Sequence, residues 1–318
     1  EVGVQTTFER INREMHRGHG VQASIDANRR LRDAAFKVGF HMMPGQPGMS
    51  TEMCLEDFRR LFEDSRWRPD YLKIYPTLVV RDTVVYDQWR RDEFDPLTNE
   101  EAAELVAEIK STLPKYVRLQ RVQRDIPADF IDAGVWKSNL RQLARKRMAD
   151  HGWTCDCIRC RDVGHNDETP EDVRLDVTTY EAAGGVEHFI SFEDPERDLL
   201  VGFCRLRFPA YSPHGSDPAD GADPVRRELE DAALVRELHV YGSEVGVGGD
   251  ADSAAASANG ENAQQHRGYG RRLLRKAEEI AADAGFEKLS VISGIGVRQY
   301  YRRKLDYHQD GPYVSKRL

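Results

Sequence analysis

The sequence predicts an α/β unit followed by an α+β unit, on three observations. The first 125 residues alternate short apolar runs with amphipathic stretches, the pattern of parallel βα units. From about residue 171 the order changes to strands first, then strand–helix–strand. Between them lies a strongly basic helical stretch that ends in a cysteine cluster, "TCDCIRC". With 318 residues and 40% hydrophobic content, the chain has material for two cores, since domains run about 100–200 residues. The expected division is 1–133, 134–170 and 171–318.

In the first unit, strands are expected near 2–5, 40–43, 71–75 and 116–120. "TTFERINREM" and "QASIDANRRLRDAAFKVG" read as helices, the second closed by Gly39 as a C-cap. "FHMM" is a short buried strand that stops at "PGQPG", and His41 within it reads as a core histidine. "STEMCLEDFRRLFED" is a helix with Ser50 or Thr51 as N-cap, and Cys54 packs inside it. "TNEEAAELVAEIKSTL" opens with Thr98 and Glu101 at capping-box spacing. Right-handed crossovers would curl such units into part of a barrel or a doubly wound sheet. Four units do not close an eight-unit barrel, so a further portion is expected ahead of Glu1.

"GVWKSNLRQLARKRMAD" is a basic helix carrying Lys137, Arg141, Arg145, Lys146 and Arg147. Arg118, Arg121 and Arg124 precede it. The formal net charge is −8, which excludes a uniformly basic nucleic-acid glove but not a local phosphate-binding patch. Lys73, in "LKIYP", ends a strand, where barrel enzymes place reactive groups.

In the second unit, "EHFISFED" and "LLVGFCRLRF" flank "PERD" as a hairpin. "ALVRELHVYG" is a strand and "EVGVGGDADSAAASANGENA" is low-complexity. In "GYGRRLLRKAEEIAADAG", Leu273, Leu274, Ala277, Ile280, Ala281 and Ala284 share one helix face, and Gly285 ends it. "FEKLSVIS" is a strand, "GVRQYYRRKL" a helix and "YHQDGPYVSK" a final strand. "QHRGYG" opens the long helix with two glycines, which suits a pyrophosphate at a helix N-terminus. It does not fit the dinucleotide fingerprint.

The order Gln-x-x-Gly-x-Gly after "LHVYG", then an amphipathic helix, then "LSVISG", resembles the GNAT acetyltransferases. That resemblance implies acetyl-CoA held by Gln265, His266, Arg267, Gly268, Tyr269 and Gly270, with Leu238, His239 and Val240 along the pantetheine arm. Tyr300 or Tyr301 is then placed as the acid on the departing thiolate; one of the pair would pack and the other face the cleft. Further motifs, "EVGVQ", "HMMPGQPGM", "LKIYPTLVV", "CDCIRCRDVG", "VRELHVYG", "VISGIGVRQYYRRKLDY" and "DGPY", run in order through both units. Together they resemble the catalytic subunit of the Elongator complex. The resemblance implies a partial (βα) barrel of the radical S-adenosylmethionine type followed by a GNAT-like domain. It also implies a reaction, carboxymethylation at C5 of uridine 34 in tRNA, in which acetyl-CoA supplies the carbon and a [4Fe-4S] cluster cleaves S-adenosylmethionine to start radical chemistry. The tRNA anticodon stem-loop is the expected partner, since its bases are readily unstacked. A homodimer and accessory subunits both stay open. The family's cluster spacing, C-x4–9-C-x2-C, is absent from this chain, so its ligands are expected outside it.

Cys155, Cys157 and Cys160 allow a redox pair, an iron–sulfur cradle or a zinc site. Their tight spacing favours structural zinc, with Cys204, His151 or His165 as the fourth ligand, and would fix the two half-sites relative to each other. Five mostly clustered cysteines point to a reducing, cytoplasmic compartment. No run of 18 apolar residues spans a membrane. Two other functions share these features: a lysine acetyltransferase using Glu237 or His239 as base, and a non-catalytic tRNA-binding scaffold that senses acetyl-CoA.

Overall fold

A computed structural model describes residues 1–123, 126–166, 168–216, 223–241 and 268–318. The chain forms two compact units, one of Glu1–Asn28 and Val38–Arg159, the other of Arg29–Lys37 and Cys160–Leu318.

The first unit is built on a parallel sheet, β1 (Val2–Gln5), β2 (Gly39–Met42), β3 (Tyr71–Ile74) and β4 (Arg118–Val122), in sequential order. The predicted strands therefore stand within a residue or two of their expected places. Between them run α1 (Glu9–Glu14), α2 (Val21–Asp33), α3 (Thr51–Glu63), α4 (Val84–Arg90) and α5 (Asn99–Ser111). The Ser50 hydroxyl accepts from Met53 N at 3.2 Å and caps α3. The Thr98–Glu101 capping box forms in full at the head of α5. Helix α6 (Leu140–His151) follows β4 and ends on Gly152 in the left-handed conformation. One turn, α7 (Ile158–Arg161), follows the first two cysteines of the cluster.

Gly39 is not the cap of α2. The helix stops at Asp33, and Ala35 takes the left-handed position at φ 67°. Gly39 instead opens β2, where a Cβ would fall 2.0 Å from the Tyr71 ring. Its glycine character answers to the neighbouring strand, not to the preceding helix. Helix α4 leaves little signal in the sequence, since it has only seven residues and a single buried one, Val85.

The second unit is a seven-stranded sheet in the order β10-β11-β9-β8-β7-β6-β5. The strands are β5 (Arg174–Ala182), β6 (Gly185–Asp194), β7 (Leu199–Phe208), β8 (Ala232–Val240), β9 (Lys288–Val291), β10 (His308–Asp310) and β11 (Tyr313–Arg317). Among the described residues, only the β8–β9 pair of this sheet is parallel. Helix α8 (Tyr269–Asp283) lays Leu273, Leu274, Ala277 and Ala281 into a core with Ile190, Phe192, Cys204 and Leu206, while Ile280 and Ala284 pack at its margin. Helix α9 (Arg298–Lys304) follows β9.

Two strand expectations change. The "YHQDGPYVSK" segment is a hairpin, not one strand: Asp310 pairs with Tyr313 across a turn in which Gly311 has φ 57°. β5 is a full nine-residue strand that the sequence reading omitted; only Ala182 of it is buried, so its apolar signal is weak.

The segment 29–37 brings charges into the second unit. The Glu187 carboxylate accepts from Arg32 at 2.9 Å, Arg207 at 3.0 Å and Arg236 at 2.8 Å. Asp33 accepts from Arg207 at 2.7 Å. All five residues are buried, so each charge relies on these partners rather than on water.

Candidate functional site

At the carboxyl end of the parallel sheet, register places His41 of β2 opposite Lys73 of β3, and Lys73 opposite Arg121 of β4. The row is polar across three strands. Lys73 Nζ donates to both Glu1 carboxylate oxygens, at 2.5 and 2.7 Å, and Glu1 also meets His41 Nε2 at 2.6 Å. The Lys73 hydrogen bond is the main reason the Glu1 carboxyl is pulled down to about 2, against its modest burial. His41 is therefore not a core histidine. It is half-buried, bonded to a carboxylate, and its ring stands edge-on to Tyr75. The "PGQPG" turn places Gly45 and Gly48 at positive φ. Gly45 N donates to Cys54 Sγ at 3.1 Å. Cys54 is buried, as a packed helix residue is, and its thiol is pushed up to about 11 by desolvation.

The basic residues do not stand equally ready for phosphate. Arg141 donates to Leu119 O at 3.0 Å. Lys137 lies 3.5 Å from Glu100, and Arg147 lies 3.7 Å from Glu104. Arg145 and Lys146 are exposed on α6 and form no ion pair among the described residues. Arg118 and Arg121 lie on β4, and Arg124 lies outside the described residues.

Cys155, Cys157 and Cys160 converge, with their sulfurs all within 4.8 Å of one another. Thiolates about 2.3 Å from a tetrahedral zinc fit that spacing. The three proposed fourth ligands do not join them within that distance among the described residues. His151 Nε2 is engaged by Glu104 at 2.6 Å, and its ring stacks on Trp153. His165 Nδ1 is engaged by Asp162 at 2.6 Å. Cys204 is fully buried on β7, and burial raises its pKa far above the ordinary thiol value.

In the second unit, the β8–β9 ladder ends at Val235↔Val291, while β8 continues to Val240 alongside β7. Two parallel strands thus part at Arg236–Val240, the stretch that carries Leu238, His239 and Val240. The first turn of α8 adjoins this opening: a Cβ on Gly270 would lie 3.7 Å from Val240 Cγ2. Gly268 caps α8 at φ 70°, with no atom of the described residues within 4 Å of a Cβ there, and Tyr269 is buried against Phe192. The N-terminal amides of a 15-residue helix and its dipole favour an anion at this point. Gln265, His266 and Arg267 lie outside the described residues.

The two tyrosines separate. Tyr301 is buried in the core against Tyr307, and desolvation raises its pKa above the usual phenol value. Tyr300 is half-buried, and its hydroxyl accepts from Arg271 Nε at 3.2 Å, on the first turn of α8. Arg271 belongs to no motif read from the sequence; its place directly after the glycine loop is its local signal. Glu237 is half-buried and paired with Arg205 and with Lys37, both at 2.9 Å. Desolvation works to raise its pKa, but the two cations outweigh it and hold it below the ordinary carboxylate value. His239 is exposed beside Tyr241.

Comparison with known proteins gives the class first. Residues 69–150 match the Radical_SAM C-terminal domain, the region of β3 to α6. The solved structure of Methanocaldococcus infernus Elp3 with an N-terminus deletion superposes at a TM-score of 0.88 and 42% identity, covering 99% of this chain and 71% of that one. The fold is thus the radical S-adenosylmethionine plus acetyltransferase class. The chain belongs to the Elongator complex protein 3 family. It is 44% identical to the tRNA uridine(34) acetyltransferase of Methanocaldococcus jannaschii, over 100% of this chain and 56% of that protein. It is 42% identical to the Elongator complex protein 3 of Drosophila melanogaster, over 100% of this chain and 55% of that protein. The chain therefore spans about half the length of these curated relatives. Among the described residues, no helix is long and apolar enough to cross a membrane.

Proposed function

We propose that this chain is part of a tRNA uridine(34)-modifying enzyme that draws its acyl group from acetyl-CoA and carboxymethylates C5 of the wobble base. The observation that carries the reading is the opening between β8 and β9 with the head of α8 beside it, in a chain 44% identical to a protein named for that substrate. The α8 amides would take the pyrophosphate, and the exposed edge of β8 would take the pantetheine arm. Tyr300, not the buried Tyr301, is the phenol positioned to protonate a leaving thiolate. The anticodon stem-loop would lie against Arg145, Lys146 and the rim that carries Lys73.

The chain's own cysteines do not fit the family's [4Fe-4S] cluster: the triad has the wrong spacing and Cys54 is a buried thiol. No step through that cluster or S-adenosylmethionine is assigned to these residues. The Cys155–Cys157–Cys160 triad fits zinc, which would tie this stretch of chain together without taking part in the reaction. Metal analysis of the purified chain should find zinc at about one per molecule.

The lysine acetyltransferase reading needs a free base on β8. Glu237 is a poor one, held ionised between Arg205 and Lys37. The test is nucleoside analysis of tRNA from a strain lacking the gene, together with acetyl-CoA hydrolysis by the full-length protein. Loss of the C5-modified uridine and tRNA-dependent hydrolysis are expected. Persistence of the modified nucleoside overturns the reading. Binding of tRNA without hydrolysis favours a scaffold.

A further inference from the structure

One large aromatic side chain is turned outward at the carboxyl rim of the parallel sheet. Trp136 is 58% exposed, while Val135 immediately before it is fully buried. The backbone around it is fixed on both sides. Val79 and Ala133 form an antiparallel bridge, with Val79 N donating to Ala133 O at 3.0 Å and Asp132 N donating to Val79 O at 2.9 Å. Gly134, at φ 104°, passes so close to Thr77 that a Cβ would stand 3.2 Å from Thr77 O. Gln123 Nε2, just beyond β4, donates to Val135 O at 3.3 Å. After the tryptophan, Lys137 N donates to Asn99 Oδ1 at 3.1 Å. A single exposed apolar residue on a loose loop needs no explanation. A tryptophan held outward by a backbone pinned at residues 132, 133, 135 and 137 is a preorganised surface.

Its position and electrostatics say what that surface suits. Thr77 follows β3 and Gln123 follows β4, so the segment lies outside the carboxyl ends of parallel strands, where such sheets bind their ligands. Lys137 Nζ lies 5.8 Å from the Trp136 ring centroid and 3.5 Å from Glu100. The nearby acid Asp132 is neutralised by Arg81 at 3.1 Å. β4, whose end Gln123 joins to this segment, carries Arg118 and Arg121. A cationic ligand would meet Lys137 already at the ring. A flat, neutral ring would meet the exposed indole without that repulsion. That is an unpaired nucleobase. Phe130, 63% exposed in the same β4–α6 connection, adds a second aromatic side chain of this kind.

We propose that Trp136 is a stacking platform for an unpaired base of the RNA that this rim receives. The inference rests on the reading of tRNA as the substrate and adds to it a positioning residue that acts on base planes, independent of phosphate. The test compares full-length wild type, Trp136→Ala and Trp136→Phe for binding to an anticodon stem-loop RNA and to a duplex RNA of the same length, across a salt series. Trp136→Ala should weaken stem-loop binding by on the order of tenfold, with the salt slope unchanged because no phosphate contact is lost. Trp136→Phe should recover most of the affinity, and duplex binding should not move. Intrinsic fluorescence should be quenched by the stem-loop in the wild type and less so in Trp136→Phe. Equal stem-loop affinity of Trp136→Ala and wild type, or equal losses on both RNAs, overturns the proposal and leaves the substrate reading intact. A wild-type protein that binds neither RNA overturns the substrate reading itself. If Trp136→Ala binds RNA normally but loses a co-purifying subunit, Trp136 belongs to a protein interface and the proposal fails.

Discussion

His188 shows how one residue's surroundings become a measurable property. It stands on β6, with Nδ1 at 2.9 Å from Thr179 Oγ1 and its ring edge-on to Phe208. Nε2 is buried and has no hydrogen-bond partner among the described residues. Desolvation lowers its pKa below 6.5, with the neighbouring Glu187 charge acting weakly the other way. The folded chain therefore holds the neutral ring more strongly than the unfolded chain does. The resulting stability is fully present above the unfolded value, about 6.5, and is lost as pH falls from there through the lower folded pKa. The second unit is expected to lose thermal stability between pH 7 and 5, and His188→Leu should flatten that slope. An unchanged pH dependence in the variant would remove His188 as its source. Glu237 acts in a different window. Its depressed pKa contributes stability above the ordinary carboxylate value, which is lost only on further acidification. The two effects are thus separable by pH.

At the scale of elements, α6 illustrates how packing sorts a charge run. Its Leu140, Ala144 and Met148 are buried, which turns the remaining residues outward. The acids of α5 then engage Lys137 and Arg147, and His151 as well. Arg145 and Lys146 are left as the cations available to a polyanion. Reversing these two to Glu should weaken tRNA binding and reduce the slope of log affinity against log salt by roughly 1–2. Reversing Arg147 should do less. Equal effects at all three positions, read from filter binding across a salt series, would show that the α5 acids do not select among them. The basic run was legible in the sequence, but the selection was not, because the α5 acids stand about 40 positions away. The capping box of α5 and the apolar face of α8 were legible, because residues three or four apart set both. The β5 strand was not, since an edge strand with one buried residue carries little periodic signal.

Across the whole molecule, the two units have different architectures and separate hydrogen-bonded sheets. Chains of this kind unfold in more than one step. A ligand that binds only the native second unit raises only that unit's transition, by about 2.7 kcal/mol at a hundredfold excess over its dissociation constant. A non-hydrolysable acetyl-CoA analogue is therefore expected to shift one calorimetric transition and leave the other in place. If neither moves, the opening between β8 and β9 is not the acetyl-CoA site.

The sequence by itself determined the class of the chain: parallel βα units, then an α+β sheet, with a cysteine cluster and a glycine loop whose order carries the family resemblance. Those features are local, written in periodicities of two and 3.6 and in caps a few residues apart. Tertiary structure alone decided which tyrosine is buried and that Glu237 is locked by Lys37 from 200 positions away. It also decided that residues 29–37 serve the second sheet, and that Trp136 is held outward on a pinned backbone. Each of these depends on partners distant in the chain, and only the folded arrangement brings those partners into reach.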